Sequence, residues 1–233
     1  MDFDLIAENA PRIFGGLGLT LQLVLISLAI GFFLAVGVAL VRQSQYVWAS
    51  RIARFYVYCI RGTPLLVQLF LIYYGLGQFE LVQQSFLWPL LREPYVCAIL
   101  AMTLNTGAFG SEIIRGGMES VPWGEKEAAR AMGMGSVTLF RRIVFPIAIR
   151  QALPAYSNEV ILMVKASSLA STITMMEMTG IAGEIMAETY KPLEAFVVAG
   201  SLYLAINFTF TRIMRVMERR LNAHLYIFAD GVG

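Results

Sequence analysis

The chain has 233 residues, of which 58% are hydrophobic and 15% charged, and its formal net charge is +2. Soluble domains carry about 25% charged residues, so this composition excludes an ordinary soluble protein and indicates an integral membrane protein. The single histidine, His224, and the two cysteines form no pattern for a metal site or a hydrolytic triad, which argues against an enzyme.

Five apolar stretches are long enough to cross a membrane, since a spanning helix needs about 20 mostly apolar residues. They cover residues 17–41, 54–77, 95–114, 154–176 and 195–213. The sequence therefore predicts an all-α membrane protein with about five spans. A single membrane domain accounts for residues 1–233, with one long polar loop at about 115–150.

Basic residues alternate between the predicted loops. Residues 42–61 hold four arginines, residues 115–150 hold six basic side chains, and the predicted tail after residue 211 holds four more arginines. The other loops hold only Arg12, Arg92 and Lys191. Because cytoplasmic loops carry an excess of Lys and Arg, we expect the N-terminus outside and the C-terminus in the cytoplasm.

The second apolar stretch is interrupted by Arg61-Gly62-Thr63-Pro64. Proline removes a backbone donor and frees a carbonyl, so Gly62 and Pro64 predict a kink in this span. The kink either shapes packing alone or opens a polar site in the membrane. Gln68, one turn further on, is the candidate for a polar side chain on a substrate path.

The third stretch carries polar groups at two depths. Asn105 lies within it and is a second candidate for a substrate path. Glu112 and Arg115 are three residues apart and share one face of a helix, which favours an ion pair over a ligand site.

The polar loop contains the sequence EKEAARAMGMGSVTLFRRIVFP, residues 125–146. Residues 125–132 are good helix formers, and Gly133 suits a left-handed end to that helix. Ser136 is expected to cap a second short helix, and Pro146 is expected to end or kink it. The alternatives are an ordinary surface turn and a docking element for a partner.

The fourth stretch contains Glu159 and Lys165, which is costly because charges inside a membrane usually face a bundle interior or a watery path. Six residues place them about 240° apart on a helix, so they do not neutralise one another. Glu159 is predicted either to hold a cationic solute or to pair with another span. Asn158 beside it is a further substrate-path candidate. Between the fourth and fifth stretches, Glu177, Glu184, Glu188 and Glu194 form an acidic cluster, predicted to be a solvated face, a protein contact or a funnel for cations.

These motifs resemble a known family. Residues 127–146 are similar to the E-A-A-x3-G-x9-I-x-L-P loop of bacterial ABC importer permeases, with Phe145 in place of the leucine. Residues 61–68 resemble the R-G-T-P-x-x-x-Q segment of polar amino-acid permeases, and residues 155–160 point to the M-type permeases for histidine, lysine, arginine, ornithine and opines. By this resemblance, the ATPase-docking residues are Glu127, Ala128, Ala129, Gly133, Arg141, Ile143 and Pro146.

The resemblance implies a type I ABC importer permease in the bacterial inner membrane, forming half of a pore for cationic amino acids or opines. Its expected partners are a second permease subunit (a sister or an identical copy), an ABC ATPase dimer, a periplasmic amino-acid-binding protein and membrane lipid, with no nucleic acid. The chain has no G-x-x-x-x-G-K-[ST] phosphate loop, so ATP and Mg²⁺ are expected on the ATPase and no cofactor on this chain. The alternatives are a permease for neutral or acidic amino acids and, further off, a transporter driven by an ion gradient.

Overall fold

The computed structural model describes residues 2–221. The α-helices of this part are α1 (Phe3–Gly15), α2 (Leu17–Arg42), α3 (Val47–Arg61), α4 (Leu65–Phe70), α5 (Glu80–Gln83), α6 (Trp88–Leu91), α7 (Pro94–Glu119), α8 (Trp123–Ala131), α9 (Ser136–Leu139), α10 (Phe145–Ala166), α11 (Met178–Thr189) and α12 (Pro192–Leu221). His224 lies outside the described residues.

Helix α7 is the centre of the bundle, and its small residues explain why. A side-chain carbon added to Gly31 of α2 would lie 2.7 Å from Thr106, and one added to Gly107 would lie 2.5 Å from Leu34. Small residues let membrane helices approach closely, so α2 packs tightly along α7. Helix α10 packs on another side of α7, where the backbone of Ala148 closely faces Gly117.

Three helical segments are long and apolar enough to cross a membrane, and two bent pairs raise the number of candidate spans to five. The predicted spans at 17–41, 95–114 and 195–213 lie within α2, α7 and α12. The prediction of an all-helical membrane protein is confirmed for the described residues, with three to five candidate spans.

The second predicted span is bent where Gly62 and Pro64 predict a kink, whereas the fourth was predicted as one helix over 154–176 and the structure corrects it. Helix α3 meets the segment beginning with α4 at 106°, with the break at residues 62–64. Helix α10 begins at Phe145, nine residues before the predicted start at 154, and continues as a 3-10 turn over Ser167–Ile173. A 49° bend then leads into α11, next to Thr174, whose φ of 68° is rare for a β-branched residue.

Both ends of the described chain are more ordered in the structure than the sequence predicts. The arginines after residue 211, which were predicted to lie in a tail, are part of α12. This helix continues beyond its apolar part to Leu221. The unpredicted helix α1 packs on α11 and α12 through the buried Ile13. We call the end of the bundle at α8 and α9 the α8 end, and the opposite end, near α11, the α11 end.

Candidate functional site

The loop at the α8 end forms a short helix pair. Helix α8 covers most of the predicted helix at 125–132, and Gly133 follows with a φ of +79°. The Gly133 amide donates to the Arg130 carbonyl at 2.9 Å, and the Met134 amide donates to the Ala129 carbonyl at 3.1 Å. Because an L side chain is strained at this φ, glycine is the residue that ends α8 with least cost.

One detail of the predicted loop is wrong. Ser136 does not cap α9, since Gly135 is the capping residue and no side chain bonds there. Pro146, which was predicted to end or kink this helix, does not end it, because a π-helical turn at Phe140–Val144 leads directly into α10. Prolines and π-helical turns are the usual sites of helix kinks, so the kink at Pro146 stays a prediction.

The helix pair is anchored by Ala129 and Leu139, which are buried. Its outer surface carries large apolar side chains, with Trp123 and Met132 70% exposed and Val137 80% exposed. Of the residues assigned to docking, Glu127, Ala128, Gly133 and Arg141 are exposed, Ile143 and Pro146 are half-buried, and Ala129 is buried. Exposed apolar patches of this kind mark interaction sites. Ala129 therefore holds the pair in place, while its neighbours present a surface.

Gln68 and Asn105, two of the predicted substrate-path residues, lie together in the bundle. Gln68 Nε2 donates to the carbonyls of Ile60 at 2.7 Å and Thr63 at 3.0 Å, which belong to the break between α3 and α4. Its Oε1 accepts from Asn105 Nδ2 at 3.1 Å, and both side chains are buried. The pair satisfies carbonyls that the break exposes and fixes the bend against α7.

Glu159, on α10, is 5% exposed. No hydrogen bond or ion pair joins it to another residue in the described part of the chain. Lys165, the other charge of this apolar stretch, makes no ion pair with it. Since a buried charge normally needs a partner, Glu159 is a candidate for pairing with a group outside residues 2–221.

The exposed face of α10 carries a polar stripe. Gln151, Asn158 and Lys165 are spaced by seven residues, which places them on one face of the helix, and all three are exposed. Glu159, the residue after Asn158, lies about 100° round the helix from this stripe and is buried. A face with a lysine and two amides is costly against lipid tails, so it faces water or another protein.

Three arginines surround the Glu112 carboxylate at the α8 end. Arg115 donates to it from Nη2 at 2.8 Å, as the three-residue spacing predicts, and Arg42 of α2 makes a further short bond. Arg61 lies 3.9 Å away and covers the Phe109 ring. The cluster ties α2, α3 and α7 together close to the break at residues 62–64.

Of the acidic cluster predicted between the last two spans, Glu177 is not on the surface, while Glu184 and Glu188 are exposed and share Arg12. Glu177 is fully buried, caps α11 through the Gly180 amide at 2.9 Å, and accepts from Tyr203 Oη at 2.5 Å. Glu188 pairs with Arg12 at 2.7 Å. Residues of α1 and α12 that are distant in sequence therefore pair with or bury glutamates that the sequence grouped together. At the same end, Lys191 donates a hydrogen bond of 2.5 Å to the Asp2 carboxyl and lowers its pKa.

The residues that sequence reasoning missed are those with partners far along the chain. Thr20 lies 3.5 Å from Glu177 Oε2, and Gly16 is so close to Met178 that a side-chain carbon would lie 2.7 Å from its amide. Their signal in the sequence is weak, because a glycine and a threonine at the start of an apolar run are common.

The match to a known family covers most of the chain. Residues 27–223 match the model for the binding-protein-dependent transport system inner membrane component. The chain is 55% identical over 226 residues to the nopaline transport system permease protein NocM of Agrobacterium fabrum, covering 97% of this chain and 94% of that protein. It is 42% identical over 213 residues to the histidine/lysine/arginine/ornithine transport system permease protein HisM of Escherichia coli strain K12, covering 91% of this chain and 90% of that protein.

The fold matches a solved structure as well. A crystal structure of an amino acid ABC transporter with histidines superposes with a TM-score of 0.85 at 34% identity, covering 94% of this chain and 99% of the other.

Proposed function

Because the chain belongs to the binding-protein-dependent transport system inner membrane components, we propose that this permease subunit imports cationic amino acids or opines and that Glu159 binds their cationic group. The observation that carries the proposal is the buried carboxylate of Glu159 without a partner among residues 2–221. The names of the relatives support the substrate class, since one is a nopaline permease and another a histidine/lysine/arginine/ornithine permease.

The path past Glu159 runs along the polar stripe of α10. Gln151, Asn158 and Lys165 line it, and the second permease subunit, a sister or an identical copy, closes it from the opposite side. The braced break at residues 62–64 keeps α3 out of this path. Asn105 and Gln68 shape the path by holding the break, because their amides already bond to each other and to the backbone.

Energy for transport comes from an ABC ATPase dimer that binds ATP and Mg²⁺ and docks on the α8–α9 helix pair. The exposed Trp123, Met132 and Val137 supply the apolar contact, and Glu127 and Arg141 lie on the same exposed loop. A periplasmic binding protein delivers the solute at the α11 end. This arrangement places the α8 end in the cytoplasm, the N-terminus outside and the protein in the bacterial inner membrane, with five spans.

Uptake by Glu159→Gln tests the substrate site. We expect uptake of arginine-like substrates to fall 10- to 150-fold, because a hydrogen bond to a charged group contributes about 1.5–3 kcal/mol. Uptake of a neutral amino acid by the same complex should change much less. Glu159→Asp is the matched variant, since it keeps a carboxylate at the site. An equal loss for cationic and neutral substrates in Glu159→Gln would show that Glu159 is structural.

ATP-coupled uptake by Gly133→Asp tests the docking surface. No atom lies within 4 Å of a side-chain carbon added at Gly133, and aspartate is among the residues that best tolerate positive φ, so the remaining backbone strain should still allow the chain to insert and fold. The added charge on the docking surface should abolish uptake. Gly133→Asn fits the same φ without charge and should retain most activity. Normal uptake by Gly133→Asp would refute docking at this loop.

A further inference from the structure

Helix α3 runs from the α8 end towards the middle of the bundle. Near its start, Ser50 donates to the carbonyl of Arg42, the last residue of α2, at 3.0 Å. Further along, Tyr56 Oη donates to the carbonyl of Leu104 at 2.6 Å. The carbonyl of Ile60 accepts from Gln68, which also bonds to Asn105. The N-terminal half of α3 therefore lies at the α8 end, and the segment that follows α3 departs at 106°.

Three faces of α3 have three different compositions. Ser50, Ala53 and Val57 are buried against the bundle. Trp48, Ile52 and Phe55 are 75%, 69% and 69% exposed, and their spacing of four and three residues places them in one apolar stripe. Arg51 and Arg54 flank that stripe, about 60° and 120° round the helix from Trp48 at 100° per residue.

The exposed flank carries the cations Arg51 and Arg54, and Val47 and Tyr58 are exposed between them. Helix α3 contains no acidic residue, and the structure records no ion pair for Arg51 or Arg54 with any residue from 2 to 221. The Arg51 guanidinium lies over the Trp48 ring at 5.3 Å, which joins the flank to the apolar stripe.

We propose that the N-terminal half of α3 lies in the membrane interface and binds anionic phospholipid, with the apolar stripe in the acyl region and Arg51 and Arg54 on the phosphates, while the C-terminal half belongs to the second span. A helix in the membrane plane with an apolar face and a basic flank has the arrangement that binds anionic lipid surfaces. The inference uses the orientation given under the proposed function, which places α3 in the cytoplasmic leaflet, although lipid binding itself needs no transport.

A second copy of the chain is the competing occupant of this surface. In a two-fold symmetric contact centred on this face, the same face of α3 would meet itself, so that Arg51 and Arg54 would approach the equivalent arginines. That arrangement is repulsive without intervening anions. Charge complementarity therefore favours lipid phosphates, which match both the arginines and the neighbouring aromatic stripe.

The test measures phosphatidylglycerol bound to the whole purified transport complex, by native mass spectrometry over a phosphatidylglycerol-to-phosphatidylcholine titration. The Arg51→Gln/Arg54→Gln variant should bind phosphatidylglycerol about 30-fold more weakly, because two basic residues near an anionic surface are removed. Arg219→Gln/Arg220→Gln removes the same charge from exposed positions on α12 and should weaken binding less than about threefold.

Equal weakening by both double variants would overturn the proposal, since it would show a general charge effect. Disulfide cross-linking between two copies through Phe55→Cys, in a Cys59→Ser/Cys97→Ser background, would also overturn it in favour of a protein contact. Because the readout is bound lipid, a failure here leaves the substrate and docking experiments unaffected.

Discussion

Glu159 and Glu177 are both buried acidic residues of this bundle, but their surroundings are opposite. Glu177, at the α11 end, accepts hydrogen bonds from the Gly180 amide and the Tyr203 hydroxyl, and Thr20 lies beside it. Glu159, two thirds of the way along α10, has no partner within residues 2–221. The contrast separates a carboxylate whose hydrogen bonds hold the fold from one that makes no such bond within residues 2–221.

The same contrast distinguishes the two halves of the bundle. At the α11 end, Glu177 joins α2, α11 and α12, so three elements depend on one side chain. At the break between α3 and α4, the polar groups that hold the backbone are the amides of Gln68 and Asn105, and the Glu159 carboxylate takes no part. Burial alone therefore does not show what a polar residue does, because the hydrogen-bond partners differ from one buried site to the next.

The largest effect should come from Glu177→Ala. Two buried donors lose their acceptor at about 1–3 kcal/mol each, so we expect destabilisation of about 3 kcal/mol. The melting temperature of the detergent-solubilised complex should fall by about 6–12 °C. Glu159→Gln is the matched comparison and should melt within about 2 °C of the parent, because no bond is broken. An equal fall in melting temperature in the two variants would contradict the difference drawn between Glu177 and Glu159.

A smaller loss of stability is expected for Gln68→Leu, which tests whether the amides of Gln68 and Asn105 hold the break between α3 and α4. The substitution leaves the Ile60 and Thr63 carbonyls and the Asn105 amide without partners, at a cost of about 2 kcal/mol. Gln84→Leu, at an exposed glutamine, should change stability by less than about 0.5 kcal/mol. If Gln68→Leu instead melted like the parent but lost substrate discrimination, Gln68 would belong to the solute site.

Asp2→Asn should have the smallest effect on stability, and it tests how much the exposed ion pair contributes at the α11 end. The Lys191 hydrogen bond lowers the pKa of Asp2. The ion pair therefore contributes to stability at pH values above 3.8, the ordinary pKa of the carboxyl, and this contribution disappears as the pH falls below that value. Exposed ion pairs contribute little, so the melting temperature at neutral pH should fall by less than about 2 °C. Thermal scans from pH 3 to pH 7 measure this. A larger loss than in Glu177→Ala would mean that surface pairs, not Glu177, hold this end.

The sequence alone determined the features that depend on local physics. Apolar runs of sufficient length predicted the spans in α2, α7 and α12, since hydropathy is a property of consecutive residues. Helix propensity and the need for a left-handed residue predicted α8 and the turn at Gly133 in the same way. Glu159 was predicted as a functional candidate because a charge in an apolar run is costly wherever it points.

Only the tertiary structure decided which polar groups are already satisfied. Glu177 looked like part of an acidic surface, but its partners lie 26 and about 157 residues away, at Tyr203 and Thr20. Gln68 looked like a pore residue until the break in its own segment placed two carbonyls within reach of its amide. Hydrogen-bond partners are chosen by how helices pack in three dimensions, and no local pattern along the chain encodes that choice.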